Sequence, residues 1–98
     1  MKTNLRSNTA YLISLTGLND SQLAELMETT RTSVNRWRNQ RHTIGDPAKL
    51  GRLFGVTDKD LAFGTETEIQ KAYATWFTTK QQTQAVTYVG QIRRPGAA

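Results

Sequence analysis

The chain has 98 residues, the size of one small domain of ~100–150 residues. It contains no cysteine, which excludes disulfides and thiolate metal sites. Thirteen Lys and Arg against eight Asp and Glu leave a net charge of +5, and such an excess favours a polyanionic partner, nucleic acid or an anionic membrane surface. The opening "MKTNLRSNTAYLISL" carries Lys2 and Arg6, but its apolar run from Ala10 to Leu15 is short, contains Ser14 and lacks a small-residue cleavage site. Nothing approaches the ~18 apolar residues of a membrane span. The expectation is a soluble cytoplasmic protein.

Four helical segments and a tail of different character are predicted. The first runs roughly from Thr3 to Leu15, with Leu5, Leu12 and Leu15 at helix-compatible spacing. Gly17 ends it. The second opens on "NDSQ", where Asn19 is a good N-cap, Asp20 suits the positive helix end, and Gln22 completes a capping-box pattern. Leu23, Leu26 and Met27 form its apolar stripe, with the small Ala24 beside them. Thr29 and Thr30 break it, and Thr30 can cap the next helix. Two short helices joined so briefly must meet at a steep angle, and Ala24 supplies the surface for close approach.

The third helix lies in "TTRTSVNRWRNQR", which packs four arginines and no acid into the eleven residues from Arg31. At 100° per residue, Val34 and Trp37 share one face, and Trp37 is expected to be a buried anchor. Thr32, Asn35, Arg36 and Asn39 fall on the opposite face, Arg31 sits in the first turn, and Arg38 lies at the edge of the buried stripe. A solvated salt-bridge face would intersperse Glu at i±4, and none is present. Hydroxyl, amide and guanidinium groups instead share one side, as required to hydrogen-bond base edges and phosphates in a DNA major groove.

After the polar link "RHTIG", Asp46 caps a fourth helix with Pro47 at its first position and Leu50, Leu53 and Phe54 on its apolar face. Gly55-Val56-Thr57 turns the chain, and Leu61 and Phe63 are expected to pack back before Gly64. In the tail, Ile69, Ala72, Tyr73, Trp76 and Phe77 follow i, i+3, i+4, i+7 and i+8, an amphipathic helix from about Glu66 to Gln81. The alternation from Gln84 to Ile92 places Val86, Tyr88 and Ile92 on one face of a strand. A lone strand needs a partner for its ladder groups, and the same strand of a second copy would provide it.

"GLNDSQLAELMETTRTSVNRWRNQ" resembles the helix-turn-helix of the XRE type, the group that contains Cro proteins and repressors of temperate phages. Leu23-Ala24, Thr30, Val34 and Trp37 match the family pattern without a gap, and "LFGVTDKDLAFG" resembles its closing element. The resemblance covers residues 5 to 64 and leaves the tail unmatched. It departs from the family at Asp20, where Gln often binds phosphate; a capping role is expected there instead. Glu28 stands where Gly is frequent, which predicts a wider turn. The spacing from Arg41 to Pro47 also differs.

The resemblance implies a mainly α, lambda-repressor-like helical bundle over residues 1–64; the tail pattern over 65–98 adds to it a C-terminal helix and a single strand, expected to serve in dimerisation. It implies a sequence-specific regulator that binds a palindromic double-stranded DNA operator as a homodimer. The N-terminal half of a recognition helix usually meets base edges, so Arg31, Thr32, Ser33, Asn35 and Arg36 are the expected base contacts. Arg38, Asn39, Arg41, His42 and Thr43 are the expected contacts to the DNA backbone. Tyr73, Trp76, Phe77, Val86, Tyr88 and Ile92 are the expected dimerisation residues, although Tyr73, Trp76 and Phe77 could equally complete a small core. A second reading is an antitoxin or anti-repressor that binds protein through the tail helix. A transcriptional activator is a third. No enzyme is expected: the single His42 lacks a nearby carboxylate in sequence, and phosphate loops, paired metal ligands and cofactor motifs are absent.

Overall fold

Each of the first five helices is begun or ended by a residue with a definable backbone role. A computed structural model describes residues 3–79 and contains six helices: α1 (Leu5–Thr16), α2 (Asp20–Met27), α3 (Arg31–Arg38), α4 (Pro47–Phe54), α5 (Asp58–Phe63) and α6 (Glu66–Thr79). Gly17 closes α1 in the left-handed conformation, φ 72°. Asn19 and Gln22 form the predicted reciprocal capping box on α2. The Thr30 hydroxyl accepts from Ser33 N–H at 3.1 Å to start α3, and the Asp46 carboxylate accepts from Lys49 N–H at 3.1 Å to start α4 behind Pro47.

The turn between α2 and α3 is not widened as expected. Glu28 itself takes the left-handed conformation, φ 57°. Glu28 N–H donates to the Glu25 carbonyl and Thr29 N–H to the Ala24 carbonyl, the paired bonds of a Schellman ending. The Lys49 ammonium meets the Glu28 carboxylate at 2.7 Å, tying α4 to the turn. That hydrogen bond, and then the charge of Lys49, hold the Glu28 carboxyl below its usual range. α3 ends in the same way, with Gln40 at φ 59° and Arg41 N–H donating to the Arg36 carbonyl.

One apolar cluster joins all six helices, with Leu12, Leu23, Val34, Leu50, Phe54, Leu61, Ile69 and Tyr73 fully enclosed. α6 packs against α1, α4 and α5. Tyr73 is 0% and Trp76 8% exposed, and both rings meet Phe54, at 6.4 and 5.6 Å between centroids. They complete the core of their own chain, and Phe77 is half-buried at its edge. Gly55 (φ 76°) lies against the Trp76 side chain so closely that a Cβ there would stand 2.3 Å from Trp76 Cβ.

Several expectations are corrected. Trp37 is only half-buried, packed against the cluster from outside, because Ile44 (3% exposed) rather than Trp37 closes the core after α3. Phe63 does not pack back: it is 55% exposed, whereas Leu61 is enclosed. The segment between Thr57 and Gly64 is a short helix, capped by the Thr57 hydroxyl. The buried Asn8 amide on α1 donates to the carbonyls of Leu61 and Gly64 at 3.0 and 2.9 Å, satisfying the end of that helix. The predicted strand from Gln84 to Ile92, with Val86, Tyr88 and Ile92, lies outside the described residues.

Candidate nucleic-acid interface

The polar side of α3 is built by what holds its apolar side. Val34 is fully buried and α3 packs on both α1 and α2, which fixes the roll of the helix. Arg31, Thr32, Asn35, Arg36 and Asn39 are consequently exposed, while Ser33, Trp37 and Arg38 flank the buried line. Every exposed α3 residue is a hydroxyl, amide or guanidinium. Among the described residues, Arg31, Arg36 and Arg41 make no salt bridge, so their charges face outward unneutralised.

Beyond α3, burial of Ile44 pins the connection to α4 and turns Arg41, His42 and Thr43 to solvent. Arg6 on α1 reaches the same place: its Nε donates to Thr43 Oγ1 at 2.8 Å. Thr3, Asn4, Arg6, Ser7, Gln40 and Thr43 line one shallow depression there. Sequence spacing could not have found Arg6, since it joins the surface across 37 positions. Arg6 therefore stands beside Gln40 and Thr43, in the exposed polar segment that follows α3.

Arg38 is placed differently from its neighbours. Its Nε donates to Asp20 Oδ1 at 2.8 Å and its Nη2 to the Leu18 carbonyl at 3.0 Å. Asp20 also accepts from Asn35 Nδ2 at 3.2 Å, and Asn39 Nδ2 donates to Asn35 Oδ1 at 3.2 Å. Asp20 thus stands at the start of α2 without capping it, which Asn19 does. Leu18, Asn19, Asp20, Ser21, Arg31, Thr32, Asn35 and Arg38 surround an open, polar depression at the junction of α2 and α3.

Among the described residues no group of three or more His, Cys, Asp or Glu is gathered to hold a metal ion, and no helix is long and apolar enough to cross a membrane. Comparison with protein-family models, with characterised proteins and with solved structures returns no match.

Proposed function

We propose that this chain is a sequence-specific double-stranded DNA-binding transcription regulator, a repressor of the phage type, in which α2 and α3 form a helix-turn-helix and α3 enters the major groove. The observation that carries this reading is the outward face of α3: Arg31, Thr32, Asn35, Arg36 and Asn39 all exposed opposite buried Val34, with no acid among them. These are the groups that pair with base edges, Arg with guanine and Asn with adenine. Arg41, His42 and Thr43 extend the surface toward the phosphates, and Arg6 beside Thr43 adds a cation there.

A homodimer on a palindromic operator completes the proposal. α3 has eight residues, a rod of about 12 Å, and reads too few base pairs to compete with bulk DNA. Two copies about 34 Å apart would read half-sites one turn apart. Because Tyr73 and Trp76 serve the core of their own chain, the dimer contact falls to residues beyond Thr79, among them Val86, Tyr88 and Ile92.

A protein-binding module is the competing reading. The aromatic face of the tail helix, which would favour it, is mostly buried within the chain; what remains in its favour is Phe63, 55% exposed on α5. Selection of bound duplexes from a random library decides between the two. A recovered palindrome, bound by the purified full chain alone and lost in a triple variant of Arg31, Asn35 and Arg36 to Ala, is the expected result. A library that yields no enriched sequence sinks the DNA reading.

A further inference from the structure

We propose that Asp20 is a specificity-determining positioning residue, which fixes the amide of Asn35 so that its free edge meets the adenine of one A·T pair. The proposal rests on the DNA reading and goes beyond it, because Asp20 is an acid on a surface that reading makes cationic. Asp20 lies in the first turn of α2, yet its carboxylate is turned across to α3. One oxygen takes Arg38 Nε at 2.8 Å and the other takes Asn35 Nδ2 at 3.2 Å. Arg38 is held in turn by the Leu18 carbonyl, so the carboxylate cannot swing away without breaking two charge-assisted bonds.

A free asparagine amide can flip, exchanging a donor for an acceptor at nearly the same position. Here both orientations are not equal. Flipping Asn35 would set its Oδ1 against the Asp20 carboxylate, two acceptors with no proton between them. It would also set its Nδ2 against the Nδ2 of Asn39, which now donates to Asn35 Oδ1. Asp20 on one side and Asn39 on the other therefore select one orientation. In that orientation Asn35 keeps one N–H and one lone pair free, and adenine presents the complementary pair, N7 to accept and N6–H to donate. The charge of Asp20, which would repel phosphate, is offset locally by Arg38.

The consequence is a trade between affinity and discrimination. Removing the acid should strengthen binding to any duplex while loosening the choice at one position. The test uses the full-length protein and the duplex recovered by selection. Asn35→Ala first identifies the base pair concerned, where the wild type should prefer A·T over G·C by roughly 5- to 150-fold. Asp20→Ala should lower that preference several-fold at this pair alone. It should also bind random duplex more tightly, with the slope of log affinity against log salt steeper by about 0.9 as Arg38 is freed for a phosphate.

Arg38→Met is the control. It breaks the same ion pair and loosens the carboxylate but leaves the bond between Asp20 and Asn35, so the preference at the Asn35 pair should fall by less than in Asp20→Ala. Equal relaxation in both variants would mean that the pair merely seats α3 on α2, and would overturn the role of Asp20. So would an undiminished preference in Asp20→Ala. A measurement on the unaltered protein guards against a variant that fails to fold: the Asn35 side-chain amide should show restricted motion by 15N relaxation in the absence of DNA. An amide that rotates freely there refutes the proposal. If the wild type selects no duplex, the DNA reading fails and Asp20 has no base preference to set; if it selects one and only the Asp20 arms fail, the DNA reading stands.

Discussion

The two tryptophans give the sharpest test of how this fold is held. Trp76 is 8% exposed, with ring centroids 5.6 Å from Phe54, 5.8 Å from Tyr73 and 6.3 Å from Phe77. Its Cβ also lies against Gly55. Trp76→Ala removes the whole indole from a packed cluster and leaves a cavity between α4 and α6, which costs ~3–5 kcal/mol for a residue of this kind. A domain of this length holds only ~5–15 kcal/mol in total, so the loss is a large share of its stability and should lower Tm by more than ~10 °C. Trp37 is half-buried and touches the cluster from one side; the solvent-facing part of its ring contributes little, and Trp37→Ala should cost about 1–3 kcal/mol. Urea titration followed by far-UV circular dichroism measures both. Fluorescence of Trp37→Phe and Trp76→Phe separates them further: the protein retaining Trp76 should emit at shorter wavelength and resist iodide quenching. If Trp37→Ala proves as costly as Trp76→Ala, α6 is not the keystone of the core.

On the DNA reading, Arg36→Ala should weaken the selected site by ~1–3 kcal/mol and relax preference at one base pair; equal losses on random DNA, measured by titration, would contradict the face assignment. Arg41→Ala and Arg6→Ala should each weaken all duplexes alike and flatten the salt dependence by about 0.9, whereas an Arg6 variant indistinguishable from wild type would confine the surface to α3 and its loop. Glu28→Gly should raise Tm slightly, since the strain that glycine relieves in the left-handed turn outweighs the loss of an exposed pair with Lys49. The Glu28 carboxyl is held below its usual range by Lys49, so the stability that pair adds is present above the unfolded carboxylate pKa and lost as pH falls through the folded one; Lys49→Met should remove that part of the acid sensitivity, as read by Tm between pH 6 and pH 3. A chain ending at Thr79 should fold and sediment as a monomer while the full chain is a dimer, and a dimeric truncated form would move the interface onto the described helices.

Local signals in the sequence are legible wherever one residue decides the backbone. Asn19, Thr30 and Asp46 cap the helices they are expected to cap, because a short side-chain oxygen beside an N–H two or three positions on needs no tertiary help. The exposed row of α3 is legible for the same reason, since the 3.6-residue period alone sorts Asn35 and Arg36 from Val34. What is not legible depends on contacts far apart in the chain. Glu28 accepts a left-handed conformation where glycine would be easier, with Lys49 on its side chain. Asp58 to Phe63 is too short for a period to show, and its ending is completed by Asn8 from α1. Ile44 sits alone in a polar link, with no neighbour at helical or strand spacing to betray that it is buried. The periodicity of the tail helix reveals the helix but not its partner: a stripe of Tyr73, Trp76 and Phe77 looks the same whether it faces its own core or another chain.

That ambiguity matters for where the binding surface ends. Had α6 been a free-standing appendage, a chain cut at Gly64 would leave a complete bundle. Instead Ile69, Tyr73 and Trp76 are enclosed with Phe54 and Leu61, so such a cut would empty the core from which α4 and α1 position the rest. α1 in turn carries Arg6 to Thr43 and packs on α3. The aromatic cluster and the polar row are thus connected through α1, which packs on both α6 and α3 and has no side chain among the expected base contacts. Loosening Trp76 should therefore reach Arg6 before it reaches Arg36, because Arg6 is oriented by a single bond to a loop threonine, whereas α3 is also held by α2 through Val34, Arg38 and Asp20.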